Sequence, residues 1–391
     1  MRWNDFIFLY ALLGPVPWAL FAVAMALAYG RMGRLRRPIE KLNGDPPGVT
    51  VLMPAKDEGD GVRASIERVL ALDYPNLSII AIDDRSADQT GAIMDELSAA
   101  HPRRLKVIHV PPGGLPAGWL GKCNALHTAA AHVTSEWILF VDADVKIEPD
   151  ALSAVLALAV GREYDAVSIM TRLECHGFWE TLILPLAAAS VGAITLMSMT
   201  NDDKRKRTAF ANGQFFLVRR DAYEKVGGHA AVRDNITEDV ALMRLLKANE
   251  FRVRLYYGRD FASTRMHTSW RQLFHGWARI LSGVTKRRPW RIFAAMAFVG
   301  ASGLSAYLAL IYGAISGDTG WIALALSHLL LITIVLSVIY HLSGNARRYA
   351  LAFPLAAPVM IAIYAYAARA CFTGKIAWRG TSYTAGSATP T

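Results

Sequence analysis

Four long stretches of this chain carry no charge, and they limit what it can fold into. Phe6 to Tyr29, Ile292–Gly317, Trp321–Tyr340 and Tyr349–Ala368 contain no Asp, Glu, Lys or Arg. A helix needs about 20 apolar residues to cross the hydrocarbon core of a bilayer, and each stretch is long enough. A signal peptide is the alternative for the first, but the stretch is long, holds Pro15 and Pro17, and lacks a clean small-residue cleavage site before Arg31. It reads as a retained anchor. Apolar residues make up 53% of the chain and charged residues 19%, which excludes a disordered protein. Three cysteines exclude a disulfide scaffold and a four-Cys zinc site.

The flanks of these stretches set an orientation. Arg31, Arg34, Arg36 and Arg37 follow the first. Lys286, Arg287, Arg288 and Arg291 precede the second, and Arg347 and Arg348 lie between the third and fourth. The link between the second and third carries only Asp318. Basic loops stay on the cytoplasmic side, so the chain is expected to run as an anchor (1–30), a cytoplasmic domain (31–291), three C-terminal membrane helices (292–373) and a polar tail (374–391). The net charge of +10 is mostly this membrane-flanking Arg and Lys. It suits anionic lipid surfaces and requires no nucleic acid. Thr181 to Asn201 is also uncharged and contains Pro185. A span there would put the acidic motifs on its two sides in opposite compartments. It is expected to be an interfacial amphipathic helix of the cytoplasmic domain, or an ordinary buried one.

Within 31–291 the pattern alternates. Val49–Pro54, Leu77–Ile82, Leu105–Val110 and Trp137–Val141 read as short buried strands, with helical spacing over Gly61–Leu72 and a helix from Asp88. Strands alternating with helices predict a mixed, mainly parallel α/β sheet with ligands at the carboxyl ends of its strands. No GxGxxG or Walker A motif is present.

Acidic clusters sit at those strand ends. Asp142-Ala143-Asp144 follows an apolar run, and two carboxylates at i and i+2 can hold one hard cation such as Mg²⁺ or Mn²⁺ with its bound phosphates. Asp83 to Thr90 holds Asp83, Asp84 and Asp88; Ser86 or Asp88 capping a helix explains part of this, but not three acids. Lys122, in Gly118 to Leu126, precedes a helix, where it can meet a diphosphate or simply stay solvated. Thr237-Glu238-Asp239 opens a helix, with Thr237 as a candidate N-cap and two first-turn acids. His275, Trp277 and Arg279 precede the second membrane stretch and also fit interfacial anchors; His267 fits a core, solvated or metal-binding role.

Taken in order, Pro54-Ala55-Lys56-Asp57-Glu58, Asp83 to Thr90, Gly118 to Leu126, Asp142-Ala143-Asp144, Asn212 to Phe216, Gly227-Gly228 and Thr237-Glu238-Asp239 resemble the motifs of family 2 glycosyltransferases with a GT-A fold. The resemblance is nearest to membrane enzymes that glycosylate lipids, namely bacterial hopene-associated glycosyltransferases and ceramide glucosyltransferases. It implies a bacterial inner-membrane, multi-pass enzyme with its catalytic domain in the cytoplasm. Pro54, Asp57, Glu58 and Asp84 would then surround the nucleotide, and Lys122 would approach the donor. Asp142 and Asp144 would hold Mg²⁺ or Mn²⁺. Asp239, beside Glu238, would be the general base, and Asn212, Gly213 and Gln214 would shape the sugar or acceptor pocket. The family's Arg-Trp pair is missing between Arg271 and Arg279, so the resemblance would pass its diphosphate contact to Arg279 or His275, with Trp277 as a further substrate-binding candidate. Lys375 to Tyr383 resembles the Trp-x-Gly-x-x-Tyr ending of lipid and carotenoid glycosyltransferases. The implied reaction is inverting, metal-dependent transfer of a sugar from a nucleotide-sugar donor, most often a UDP-sugar, to a membrane lipid. A processive polysaccharide synthase and a non-catalytic sugar-nucleotide sensor are the competing readings.

Overall fold

The computed structural model describes residues 3–39, 42, 44–285, 288–373, 376–378, 381–384 and 387–390. Two compact units emerge. One joins Met1–Gly30, Cys175–Thr195 and His267–Thr373; the other joins Arg31–Glu174, Leu196–Met266 and Gly374–Thr391. The grouping differs from one continuous domain over 31–291. Helix Trp270–Val284 buries Leu273, Trp277 and Leu281, and it packs on Phe178–Thr195 and Phe353–Thr373. Its apolar stripe therefore ties residues from 267 onward to the helical unit.

The α/β unit is built on an eight-stranded sheet. Its first strands in chain order are β1 (Gly33–Arg34), β2 (Val49–Ala55), β3 (Leu77–Asp84), β4 (Leu105–Val110) and β5 (Trp137–Phe140), and a small sheet is interleaved with the later ones. The small sheet holds β6 (Val145–Ile147), β8 (Arg172–Leu173) and β11 (Ala262–Thr264); the later large-sheet strands are β7 (Ala166–Met170), β9 (Phe216–Arg219) and β10 (Val253–Tyr257). The large sheet runs β1-β10-β7-β9-β5-β2-β3-β4. All its pairings are parallel except those of β9, which is antiparallel to β5 and β7.

Successive side chains of a strand point to opposite faces, and the core follows that period. Val49, Val51 and Met53 face one way and pack with Ile66, Met94 and Val155 from three helices. Leu52, Ile80 and Phe140 face the other way and pack with Leu126, Leu242 and Met243. Both faces are covered, so the strands read as continuous apolar runs. The strand bounds agree with the expected ones to within a residue or two, while the helix expected from Asp88 begins at Thr90. Because β9 runs backwards, with Phe216 opposite Phe140, residues 212–215 reach the edge where β2, β3 and β5 end.

The helical unit contains five helices long and apolar enough to cross a membrane: Phe6–Arg31, Phe178–Thr195, Pro289–Ser316, Thr319–Leu342 and Arg347–Thr373. Four of them carry the uncharged stretches. The fifth has Pro185 inside it and is followed by a 3₁₀ turn, Met197–Asn201. Seven consecutive residues, Thr181–Ala187, are buried. Burial on every side departs from the single apolar stripe of a helix lying on a surface. Tyr340 donates to the Leu182 carbonyl at 2.8 Å, and the Ser190 and Tyr364 hydroxyls meet at 2.5 Å. Ile376–Trp378, Thr381–Thr384 and Ser387–Pro390 form a small antiparallel sheet. Lys375, Arg379 and Gly380 of the tail motif lie outside the described residues.

Candidate active site

Two neighbouring loops at the carboxyl edge are stitched together by acids. The Asp57 carboxylate accepts from the Ala87 amide at 2.8 Å, and the Asp57 amide donates to Ser86 Oγ at 3.0 Å. Asp88 accepts from the Gly59 amide at 2.8 Å and the Thr90 amide at 3.0 Å. The Glu58 amide donates to Thr90 Oγ1 at 2.9 Å. Asp83 accepts from the Ser86 amide at 3.1 Å and contacts His109 Nδ1 at 3.0 Å. Asp84 is buried and paired with Arg85 through two contacts, of 2.8 and 3.1 Å. Asp88 thus serves the helix start, as expected, although its side chain lies one residue before the capping position at Gln89.

Beside these loops lies a cleft of about 250 Å³, open to solvent, lined by Pro54, Lys122, Asp142, Gly213, Glu238 and Asp239 together with apolar residues and His229. Lys122, from the first turn of helix Gly121–Ala130, is its centre. Its Nζ lies 2.6 Å from Asp142 Oδ1 and 2.8 Å from Glu238 Oε1. Burial works against the ammonium, but the charges of Asp142, Glu238 and Asp239 outweigh it and push its pKa well above the ordinary lysine value.

Asp239 stands at the start of helix Glu238–Ala248. Its Oδ2 accepts from the Gly213 amide at 2.6 Å and its Oδ1 from the Val240 amide at 2.7 Å. Burial first, then the Glu238 charge, push its pKa up to about 7, against the pull of Lys122 and the two amides. Thr237 occupies the capping position but its side chain makes no capping bond. The Asp239 carboxylate instead meets a free amide of the first turn, which corrects the expected N-cap. A Cβ on Gly213 would come within 3.1 Å of Asp239 Oδ2 and 3.3 Å of Lys122 Nζ, so glycine is what lets the three groups converge.

Asn212 and Gln214 flank Gly213 and are spent on its support. Asn212 Nδ2 donates to the Ile169 carbonyl and to Gln214 Oε1, each at 3.2 Å, and Gln214 also bonds Thr171. Asp144 is exposed on the turn between β5 and β6. Among the described residues no group of three or more His, Cys, Asp or Glu side chains is arranged to hold a metal. The donor set still fits a hard divalent ion, because Mg²⁺ and Mn²⁺ take one or two carboxylates and complete their shell with water and substrate phosphate.

His275, Trp277 and Arg279 lie on helix Trp270–Val284 of the helical unit, not among the cleft-lining residues. His275 is exposed and meets Tyr366 edge-on at 4.9 Å, whereas Trp277 is buried. His267 belongs to the same unit. Burial, then Arg279, push its pKa down to about 4, so it is neutral near pH 7. The sequence reading missed His229 and Arg85; only the Gly227-Gly228 pair hinted at the first.

A mainly parallel sheet with antiparallel β9, and an acidic cleft at its carboxyl edge, define a glycosyltransferase of GT-A fold. The mannosyltransferase PcManGT from Pyrobaculum calidifontis, solved in complex with GDP-Man and Mn²⁺, shares this fold with a TM-score of 0.53 at 18% identity, over 90% of this chain and 99% of that one. The chain belongs to glycosyl transferase family 21, whose profile matches residues 16–389. A 4,4'-diaponeurosporenoate glycosyltransferase of Staphylococcus aureus (strain MRSA252) is 25% identical over 275 residues, 69% of this chain and 70% of that relative. The same-named protein of strain USA300 is 25% identical over 260 residues, 66% of either chain. The protein is therefore an enzyme, a hexosyltransferase, and the resemblance to family 2-like glycosyltransferases holds.

Proposed function

We propose that this enzyme transfers a hexose, with inversion, from a nucleotide-sugar donor to a hydroxyl of a membrane lipid of hopanoid, ceramide or similar type. The observation that carries this reading is the convergence of Lys122, Asp142, Gly213, Glu238 and Asp239 on one cleft at the carboxyl edge of the sheet. The loops bearing Asp57, Glu58 and Asp84 form the nucleotide wall. Asp142 and Asp144 would hold Mg²⁺ or Mn²⁺, which would neutralise charge on the donor diphosphate. Lys122 adds a fixed cation where leaving-group charge develops. Asp239 takes the proton of the acceptor hydroxyl, and a carboxylate pKa near the operating pH suits that task. The four helices that carry the uncharged stretches, with their basic flanks, support an inner-membrane location with the α/β unit in the cytoplasm, where soluble donor meets lipid acceptor.

A second reading has one observation behind it. The relative's named acceptor, 4,4'-diaponeurosporenoate, is a carboxylate. A carboxylate is already ionised at neutral pH and needs no base. The test is a panel: detergent-purified protein, Mn²⁺, UDP- and GDP-sugars and bacterial total lipid, followed by lipid mass spectrometry. A lipid carrying one added hexose through an alkali-stable glycosidic acetal supports the hydroxyl reading. An alkali-labile ester supports the carboxylate one. A long polymer, or no product with any donor, overturns both.

A further inference from the structure

His229 lines the same cleft, and the transfer chemistry leaves it without a task. Its position follows from the turn before it. Gly227 (φ 83°) and Gly228 (φ 52°) are both left-handed, and a Cβ on Gly228 would come within 2.5 Å of the Tyr223 ring. That close approach sets the His229 amide 3.0 Å from the Tyr223 hydroxyl, which in turn lies 2.9 Å from His229 Nδ1. The hydroxyl oxygen accepts the amide hydrogen, and in the tautomer in which its own hydrogen turns to Nδ1 the ring proton resides on Nε2. Phe140 meets the imidazole edge-on at 4.9 Å and fixes its plane. Burial, then the Lys122 charge, push the His229 pKa down to about 3, so the ring stays neutral.

In that tautomer Nε2–H is a neutral donor with no hydrogen bond among the described residues. The other polar side chains lining the cleft are Lys122 and the carboxylates of Asp142, Glu238 and Asp239. A phosphate oxygen only accepts, and Lys122 already offers it a cation in this cleft. A hydroxyl both donates and accepts, so it can take the His229 hydrogen and give its own to a carboxylate. We propose that His229 Nε2–H donates to a hydroxyl of the transferred sugar and helps set which sugar the enzyme uses. The inference rests on the cleft being the donor site, and it assigns the Gly-Gly-His turn to sugar selection.

The experiment is calorimetric binding to the full chain in detergent with Mn²⁺. The probes are UDP-glucose, UDP-N-acetylglucosamine and GDP-mannose, with bare UDP and GDP beside them. The proteins are wild type, His229→Phe, which keeps the ring packing, and His229→Gln, whose amide can stand in for Nε2–H. For the sugar nucleotide that the wild type binds best, His229→Phe should bind about three- to tenfold more weakly. His229→Gln should recover part of that loss, and the bare nucleotide should bind all three proteins alike. Equal loss for sugar nucleotide and bare nucleotide, or no loss, overturns the role. If His229→Phe fails to fold, His229→Leu replaces it, and an unchanged preference among the three donors in that variant overturns the role as well. No acceptor is used, so failure of lipid transfer leaves this result standing. A wild type that binds none of the three donors overturns the donor site and the role of His229 together.

Discussion

Two clusters of acids a few residues apart in space work in opposite ways. In the stitched loops, Asp88 is held below the usual carboxylate range: burial raises it, but the Thr90 hydroxyl and the Thr90 and Gly59 amides outweigh that. In the cleft, Asp239 also accepts two amides, yet burial and the adjoining Glu238 push it up to about 7. Both are Asp near a helix start, and both sit within a motif dense in acids. The difference is the company each keeps: Asp88 lies among hydrogen-bond donors, whereas Asp239 shares one lysine with two other carboxylates. A satisfied acid holds structure. A crowded acid has a pKa matched to proton transfer, which is where enzymes place their bases.

The contrast can be broken by mutation. Asp239→Asn removes the proposed base and should lower transfer to a hydroxyl acceptor by about 10²–10⁴-fold, read as single-turnover rate, with donor affinity little changed. Retention of the rate would favour the carboxylate acceptor. Its stability should not fall at pH 8. A carboxyl whose folded pKa is raised costs stability once pH exceeds the unfolded value of 3.8, in full above about 7, and the amide removes that cost.

Gly213→Ala should reduce the rate by about 10- to 100-fold with a near-normal melting temperature, because its Cβ displaces Asp239 and Lys122 from each other. Any effect confined to melting temperature would return Gly213 to a structural role. With wild type, the rate should fall as pH drops through about 7, as Asp239 takes up a proton. Glu238→Gln removes the charge that raises Asp239, so this acid limb should move to lower pH. A limb that stays in place separates the two carboxylates. The smallest change is expected from Asp88→Ala: about 1 kcal/mol of stability, a few-fold rise in donor KM, and an unchanged kcat. The part of this contribution that depends on the charge is lost as pH falls below the ordinary carboxylate value, since the folded pKa is depressed.

Much of this was legible in the chain. Apolar runs ending in acids placed β2, β3 and β5 and their carboxyl edge, because a strand buried on both faces cannot hide charge except at its end. Asp142, Lys122 and Asp239 were each visible as motif members. Their shared contact was not, since nothing local in Gly118 to Leu126 says that Lys122 will reach Glu238. Antiparallel β9 was equally hidden, because four apolar residues look alike in either direction. The structural part played by Asp57 and Asp88 could not be separated from a binding part by spacing alone. His229 escaped because a buried imidazole leaves no periodic trace, and its tautomer depends on Tyr223, six residues earlier.

The most direct test pairs the two clusters in one assay, the single-turnover transfer of labelled sugar to lipid by Asp142→Ala and Asp88→Ala. The account predicts at least a hundredfold loss in Asp142→Ala, consistent with removal of a preorganised charge at the reacting centre, and a rate within about twofold of wild type in Asp88→Ala once donor is saturating. Equal losses in both, or a normal rate in Asp142→Ala, would contradict the claim that sugar transfer takes place in the cleft around Lys122.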